Sequence, residues 1–554
     1  MTPDPNCDPN PFVTGAHYEH DDDGKACMTP YQFLNNRNYK QEWMAAFIVT
    51  AETPSDIKLS VKFAKEHNLG ISVISTGHDM QDRNAGPGPN TILVRTTCFR
   101  NWTASLDDIT TGNCPNCTWK DGYAVVGAGL SFGTNFWTNI SNAKGTYALA
   151  AEKQREMVGG TCHSVGIVGW TLGGGRGWTA PKFGLGVDQL LHVDLIDATG
   201  NEMSANSSHN PDLFYAVRGG GGGFGIIYSI KIKLHKTSPM CTNMTNCYTM
   251  NQVKFEGVYD GLNTTKYVEK ILKSYVDWSL LHRATWNSIV QFKYNNTSGQ
   301  NKYIITIGAN QFGHDNPNSF NNSMANHTKD RTLFNNSNGK NCSGEEAGCD
   351  VLWQIKTDKY WCEIFPDYKN GDNCTDAPWH LERWAQAIRF MVTKDNIKDK
   401  SHKFLTTLIK SWQPACDKNP YGACASGYQI HGDLPAIGSN EKGVHDSGGP
   451  ISAGFRGASF QVFNLGVNSE KVNLTFSQEE EWMQYTLGPA LYPYSNASYF
   501  NEAEYTLQPG QWEERFWGKE NHCKLLDYKM KYDPNSTFAC RHCVGSEVGS
   551  EPKN

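Results

Sequence analysis

Ile57, Val61 and Ala64 fall at i, i+4 and i+7 in a stretch that opens Thr53-Pro54-Ser55-Asp56 and closes at Asn68-Leu69-Gly70. An N-cap threonine, a proline at the first helical position and an acid in the first turn predict an amphipathic helix over 54–67. The apolar run from Ile71 to Ser75 then reads as a strand that delivers the loop Thr76-Gly77-His78-Asp79. Short apolar runs at 91–95 and 124–127 and a partly alternating run at 189–196 predict further strands. Farther on, Ile226, Tyr228, Ile230, Ile232 and Leu234 alternate with Ile227, Ser229, Lys231 and Lys233. That period of two is a strand, and it decides how the preceding glycines are read. Gly220-x-Gly222-x-x-Gly225 has the spacing of a dinucleotide fingerprint, but such a fingerprint must open a helix. The Rossmann reading is therefore rejected, and no G-x-x-x-x-G-K-[ST] is present to support a P-loop.

Beyond about residue 239 the texture changes to fewer glycines and more cysteines. Helical patterns are predicted near 266–281 and 379–393, and strands near 303–308 and 458–463. The Asn/Ser-rich stretch 313–349 reads as a surface insertion. The expected organisation is an extension over 1–37, a first domain over 38–238, a second, α+β domain over 239–487, and a segment over 488–554 that returns to the first.

Composition narrows the classes. A chain of 554 residues exceeds one ordinary core. The net charge of −6, with no basic run, argues against nucleic acid. No stretch approaches the ~18 uninterrupted apolar residues of a membrane span. There are 17 cysteines, and N-x-S/T sequons are dense, Asn101, Asn206 and Asn535 among them. Together these point to an oxidising, secretory history with N-linked glycans, against a cytosolic alternative. The opening MTPDPNCDPNPF lacks the charged start and apolar core of a signal peptide, so a mature or truncated chain is expected. Short spacings suggest local disulfides such as Cys241–Cys247, Cys342–Cys349 and Cys416–Cys424, and Cys7 with Cys27 in the extension. The C-x-x-C pairs Cys114/Cys117 and Cys540/Cys543 lack a matching second pair at finger spacing, so no metal is expected. The odd cysteine count leaves one residue for another task.

The chemistry concentrates in GGTCHSVGIVGWTLGGGRGWTAPKFGLGV, Gly159 to Val187. Glycines at this density either make a flexible loop or bring backbone N–H groups close to a flat or charged ligand. His78 upstream, Cys162 within it, and Tyr499-Phe500-Asn501-Glu502 downstream favour the ligand. With these in hand the chain resembles the FAD-linked oxidases with a PCMH-type flavin domain, in the berberine-bridge-enzyme-like branch of the vanillyl-alcohol-oxidase superfamily. The resemblance covers about 38–238 and 488–547 well and the middle loosely. It rests on Ser75-Thr76-Gly77-His78-Asp79, Gly160 through Gly169, Gly173 to Gly177, Lys182-Phe183-Gly184-Leu185-Gly186-Val187-Asp188, and Tyr532-Asp533-Pro534 through Phe538.

The resemblance implies an α+β protein. A PCMH-type FAD-binding domain of two α/β subdomains would stand beside an α+β substrate-binding domain with an antiparallel sheet. It implies an FAD bound covalently through His78 and Cys162, with the odd cysteine count in agreement. Ser75, Thr76, Gly77, Asp79, Gly160, Thr161, Gly166, Gly169, Gly174, Gly225, Ile227 and Asn501 would line the cofactor. Val165 would leave room for dioxygen, and Tyr499 would take the proton of a substrate hydroxyl. A phenol needs help to do so, since its pKa is ordinarily ~10, and no helper is identified. The expected activity is oxidation of a carbinol in a sugar, alcohol or natural product, with dioxygen reduced to hydrogen peroxide. A flavin dehydrogenase with another acceptor, or a flavin-retaining glycoprotein with a binding role, are the alternatives. Thr76 for glycine, Trp170 for histidine, Glu502 for an aromatic and His522-Cys523 depart from the family pattern.

Overall fold

Thr53 begins the first helix, α1 (Pro54–Glu66), through a reciprocal cap: its backbone N–H donates to the Asp56 carboxylate at 2.8 Å and its hydroxyl accepts from the Asp56 N–H. Ile57, Ser60, Val61 and Ala64 form its buried stripe. The computed structural model of the chain describes residue 45 and residues 47–79, 83–84, 90–110, 118–133, 144–160, 165–177, 179–236, 248–258, 269–278, 286–295, 302–312, 350–358, 383–393, 396, 403–408, 426–431, 449–468, 488–495, 497–502, 507–538 and 540–546.

Strands β1 (Phe47–Thr50), β2 (Gly70–Ile74) and β3 (Thr91–Arg95) make a parallel sheet in the order β1-β3-β2. A second sheet is antiparallel: β4 (Trp102–Ser105), β5 (Tyr123–Gly127), β6 (Leu190–Ile196), β7 (Glu202–Ala205) and β8 (Ile226–Lys233), ordered β7-β6-β8-β5-β4. One continuous core, from Ile57 and Val94 through Val126 and Leu195 to Trp512 and Phe538, joins both sheets to the C-terminal residues. As the alternation at 226–234 predicts, the glycine run opens a strand.

The middle of the chain is a seven-stranded antiparallel sheet. It comprises β9 (Tyr248–Val258), β10 (Trp286–Asn295), β11 (Lys302–Phe312), β12 (Asp350–Asp358), β13 (Arg383–Thr393), β14 (Ser426–His431) and β15 (Ala458–Asn468), in the order β12-β9-β11-β10-β14-β15-β13. A helix over 269–278 buries Ile271, Leu272, Tyr275, Val276 and Trp278. The helix expected over 379–393 is instead β13. Phe390, Met391 and Val392 are buried in succession. A strand covered on both faces gives a continuous apolar run that periodicity does not separate from a buried helix.

The last described segment touches both regions. Met391 N–H donates to Ala497 O at 3.1 Å, and Ile71 N–H to Thr537 O at 2.7 Å. Helix α2 (Lys519–Tyr532) carries Lys529, whose buried ammonium reaches Gly223 O at 2.7 Å and the Asp533 carboxylate at 2.6 Å. The Asp533 carboxylate also accepts the N–H groups of Thr537 and Phe538.

The cysteines alter one expectation. Cys540 and Cys543 form a disulfide, which removes that pair as metal ligands. Cys523 is free and exposed on α2. It takes the unpaired place that the odd count leaves, so parity no longer singles out Cys162. Cys7, Cys27, Cys114, Cys117, Cys162, Cys241, Cys247, Cys342, Cys349, Cys416 and Cys424 lie outside the described residues, as do the 1–37 extension and the 313–349 insertion. Among the described residues no helix is long and apolar enough to cross a membrane, and no group of acids, histidines and cysteines could hold a metal ion.

Candidate active site

Strand β2 ends at Ile74, and its loop is fixed by two hydroxyls. Ser75 Oγ donates to Ala128 O at 2.6 Å, while Thr76 Oγ1 accepts the Gly166 N–H at 2.8 Å. Phe132 N–H meets Val165 O at 3.3 Å, and Ile167 N–H meets Leu130 O at 3.1 Å. Three irregular backbones, 75–78, 128–133 and 165–167, therefore run side by side. Gly77 turns with φ +86°, a left-handed value suited to glycine. It presents His78, which is half-buried and whose pKa is pulled down to about 4 by burial. The imidazole is thus neutral near pH 7. Asp79 is spent on Arg83, whose Nε lies 2.7 Å from its carboxylate.

Val165 is half-buried against the core. Gly160 O accepts the Tyr147 hydroxyl at 2.6 Å. Thr161 and Cys162, which follow directly, lie outside the described residues. Gly169 is exposed, and among the described residues nothing beyond its own helix and chain neighbours comes within 4 Å of where its Cβ would stand. Gly177 is the reverse: a Cβ there would lie 1.9 Å from Gly159 O. Of the expected cofactor residues, Gly225 and Ile227 are accounted for by packing. A Cβ on Gly225 would strike Leu195 and the Ile196 carbonyl, and Ile227 is core in β8, paired with Leu195.

From the other end of the chain comes Tyr499, 1% exposed. Its phenol oxygen accepts the Arg176 backbone N–H at 3.0 Å and the Asn501 side-chain amide at 2.9 Å. Asn501 donates as well to Trp170 O at 2.8 Å. A Cβ on Gly174 would stand 3.7 Å from the Tyr499 ring, and Phe455 packs on that ring at 5.5 Å between centroids. Arg83 reaches across from the His78 loop, donating to Phe500 O at 3.2 Å with its guanidinium 4.0 Å over the Phe500 ring. Ser75, Thr76, Gly77, His78, Val165 and Gly166 thus form one group, and Gly174, Tyr499 and Asn501 another. The glycine stretch and Arg83 join them.

Sequence reasoning passed over Arg83 and Arg176. Arg176 is the only charge in the run Gly173–Gly177, and that was the signal available. It also missed the buried Asp188–Arg456 pair, in which Arg456 grips the carboxylate with two nitrogens at 2.8 and 2.9 Å. Arg456, aided by Arg218, holds Asp188 below the ordinary carboxylate range against the cost of burial.

Side-chain polar atoms on these segments are buried without a partner among the described residues: Arg83 Nη1, Thr97 Oγ1, Thr146 Oγ1, Arg176 Nε and Thr179 Oγ1. Native interiors rarely leave such groups unmatched unless something else completes them. Open-faced Gly169, a neutral His78 and the spare polar atoms of Arg83, Thr97 and Thr146 fit a large polar cofactor laid along the glycine stretch.

Comparison with known proteins agrees. Residues 45–206 match the FAD binding domain family and residues 498–545 the berberine and berberine-like family. The FAD-linked oxidoreductase apf9 of Gibberella fujikuroi is 25% identical over 517 residues, 92% of this chain and 80% of its own. Others among the curated relatives match over only about a third of their own length. The fold is that of VAO-type flavoproteins: MtVAO713 of Myceliophthora thermophila superposes with TM-score 0.69 at 20% identity, over 98% of this chain and 88% of that one. Glucooligosaccharide oxidase of Acremonium strictum, described as carrying a 6-S-cysteinyl, 8α-N1-histidyl FAD, superposes with TM-score 0.61 at 18% identity, over 92% and 96%.

Proposed function

We propose that this chain, which carries an FAD-binding domain and a berberine-like segment on the VAO-type fold, is an FAD-linked oxidoreductase and works as an oxidase on the carbinol of a small molecule. Bound FAD would supply the hydride acceptor and the passage of electrons to dioxygen, giving hydrogen peroxide. His78 would hold it through a ring nitrogen and Cys162 through sulfur, a reading supported by the neutral His78 and by the bicovalent glucooligosaccharide oxidase. Ser75, Thr76, Gly77, Gly160, Thr161, Gly166, Gly169 and Asn501 would complete the cradle. Val165 supports the oxidase over a dehydrogenase, being small where a larger side chain would crowd an approaching dioxygen.

The observation that carries the reading is Tyr499. Carbinol oxidation removes a hydride from carbon and a proton from oxygen, so a group must take the proton at the substrate hydroxyl. The Tyr499 oxygen is buried and receives two N–H donors. Donors aimed at an oxygen stabilise its anion, which favours the phenolate that a base requires. Exposed Asn101 and Asn535, both heading sequons, support a secreted glycoprotein.

Two measurements test this. The acid-denatured, washed protein is expected to stay yellow, with the His78 and Cys162 peptides carrying one FAD between them. Tyr499→Phe is expected to slow anaerobic flavin reduction by an alcohol substrate by about 10²-fold or more while the flavin stays attached. An unchanged rate would remove Tyr499 as the base.

A further inference from the structure

Arg176 lends its backbone to the site: its N–H holds Tyr499 and its carbonyl accepts the Trp170 indole at 3.2 Å. Its side chain is another matter. Arg83 pairs with Asp79, Arg456 with Asp188, Arg218 donates to Val187 O, and Arg515 reaches four oxygens of Ser495, Ala497 and Ser498. The Arg176 guanidinium meets no carboxylate, carbonyl or hydroxyl among the described residues, although the residue is only 8% exposed. Nε is fully enclosed, whereas the outer edge of the fork is not sealed. Thr179 Oγ1, three residues on, is likewise buried without a partner.

A buried cation without a counter-charge is costly, and the cost registers here as a pKa brought down by burial to about 10, still charged at neutral pH. The neighbours that offset it are phenols, Tyr499 and the fully buried Tyr275 of the helix over 269–278. Arg176 therefore stands between the glycine stretch and the middle domain, beside the oxygen assigned as base.

We propose that the Arg176 guanidinium is a carboxylate subsite, so that the substrate is an alcohol bearing a carboxylate, a hydroxy acid in the broad sense. A guanidinium fork matches a carboxylate in two parallel hydrogen bonds, and one cation balances one negative charge. The carboxylate anchors the molecule while its carbinol meets Tyr499. This rests on the Tyr499 reading for the chemistry, but not for the binding.

The test is a calorimetric titration of the purified holoprotein with glycolate and benzoate and with their neutral amides, glycolamide and benzamide. At least one acid is expected to bind tenfold or more tighter than its amide. Arg176→Gln should erase that difference, and Arg176→Lys, which keeps the charge but loses the fork, should retain part of it. Equal binding of acids and amides by the unaltered protein would overturn the subsite. So would a difference that survives in Arg176→Gln. Slowed alcohol oxidation in Arg176→Gln with acid–amide discrimination intact would assign Arg176 to the Tyr499 phenolate instead, again overturning it. Because titration requires no turnover, failure of the oxidase reading shows separately, as absent flavin reduction and peroxide.

Discussion

The His78 loop and the Tyr499 loop reach the same glycine stretch from opposite ends of the chain, and different forces hold them there. The first is fixed chiefly by neutral contacts, two hydroxyls, paired backbone amides and the close approach of glycines, with the Asp79–Arg83 pair at its end. The second is held by charge. Arg515 fastens Ser495, Ala497 and Ser498, Arg83 fastens Phe500, and the Lys529–Asp533 pair locks the segment that follows. Neutral contacts at this spacing are unforgiving of volume, since interiors are close-packed. Buried charges tolerate volume better but fail when one partner is removed. The two halves should therefore break under different substitutions.

The largest effect belongs to the neutral side. Gly177→Ala places a methyl 1.9 Å from Gly159 O, a backbone atom with no rotamer to escape into. Loss of soluble, folded flavoprotein is expected, and near-native yield with a native melting curve would show that the stretch is looser than its geometry. On the charged side, Lys529→Met leaves Asp533 buried without its cation. About 3–5 kcal/mol of stability should go, read by chemical denaturation, with the C-terminal arm exchanging its amides first. Asn501→Ala comes next. It removes one of the two donors to the Tyr499 oxygen and the donor to Trp170 O, so kcat should fall about 10–100-fold with its alkaline optimum moved upward. A fall in substrate binding alone would mean that Asn501 serves the substrate and not the phenol.

Acid offers a milder probe of the charged side. His542 stacks on Trp512 and donates through Nε2 to Leu507 O, and burial, with Arg541 and Arg83 nearby, brings its pKa to about 3. Unfolded, it would titrate near 6.5. Between those values the unfolded chain takes up a proton that the native protein refuses, so stability falls as pH drops from 6.5 toward 3. The contribution is about 1.4 kcal/mol per pH unit. His542→Gln should flatten the melting temperature over that window, and an unaltered slope would place the acid sensitivity elsewhere.

What the sequence disclosed followed the same division. The capped helix, the parallel strands and β8 were legible because period and capping act locally. The loop that leaves β2 was legible because it lies in five consecutive residues, Ser75 to Asp79. β13 was misread because both of its faces are covered, and that depends on partners scores of residues away. Arg83, Arg176, Arg456 and the free Cys523 were invisible for a related reason. Their roles rest on distances of up to 417 positions, from Arg83 to Phe500, or on the lack of a partner. Charged residues inside glycine runs are the clue to look for.

The most local effect tests the departure from the family pattern at Thr76. Glycine stands there in relatives as the resemblance has it, and the His78 loop would close with one hydroxyl fewer. Here Thr76 is buried, and its Oγ1 accepts the N–H of Gly166, the residue just after Val165. Thr76→Gly leaves that amide without an acceptor and loosens the backbone that presents His78. Each change works against the folded state, by about 1–3 kcal/mol for the unpaired group and about 1 kcal/mol for the added chain entropy. Thr76→Ser keeps the oxygen and should recover most of the loss, whereas Thr76→Val keeps the shape and should not. Melting of the three variants separates hydrogen bond from packing. If serine and valine behave alike, the hydroxyl is incidental and the neutral side of the site is held by shape alone.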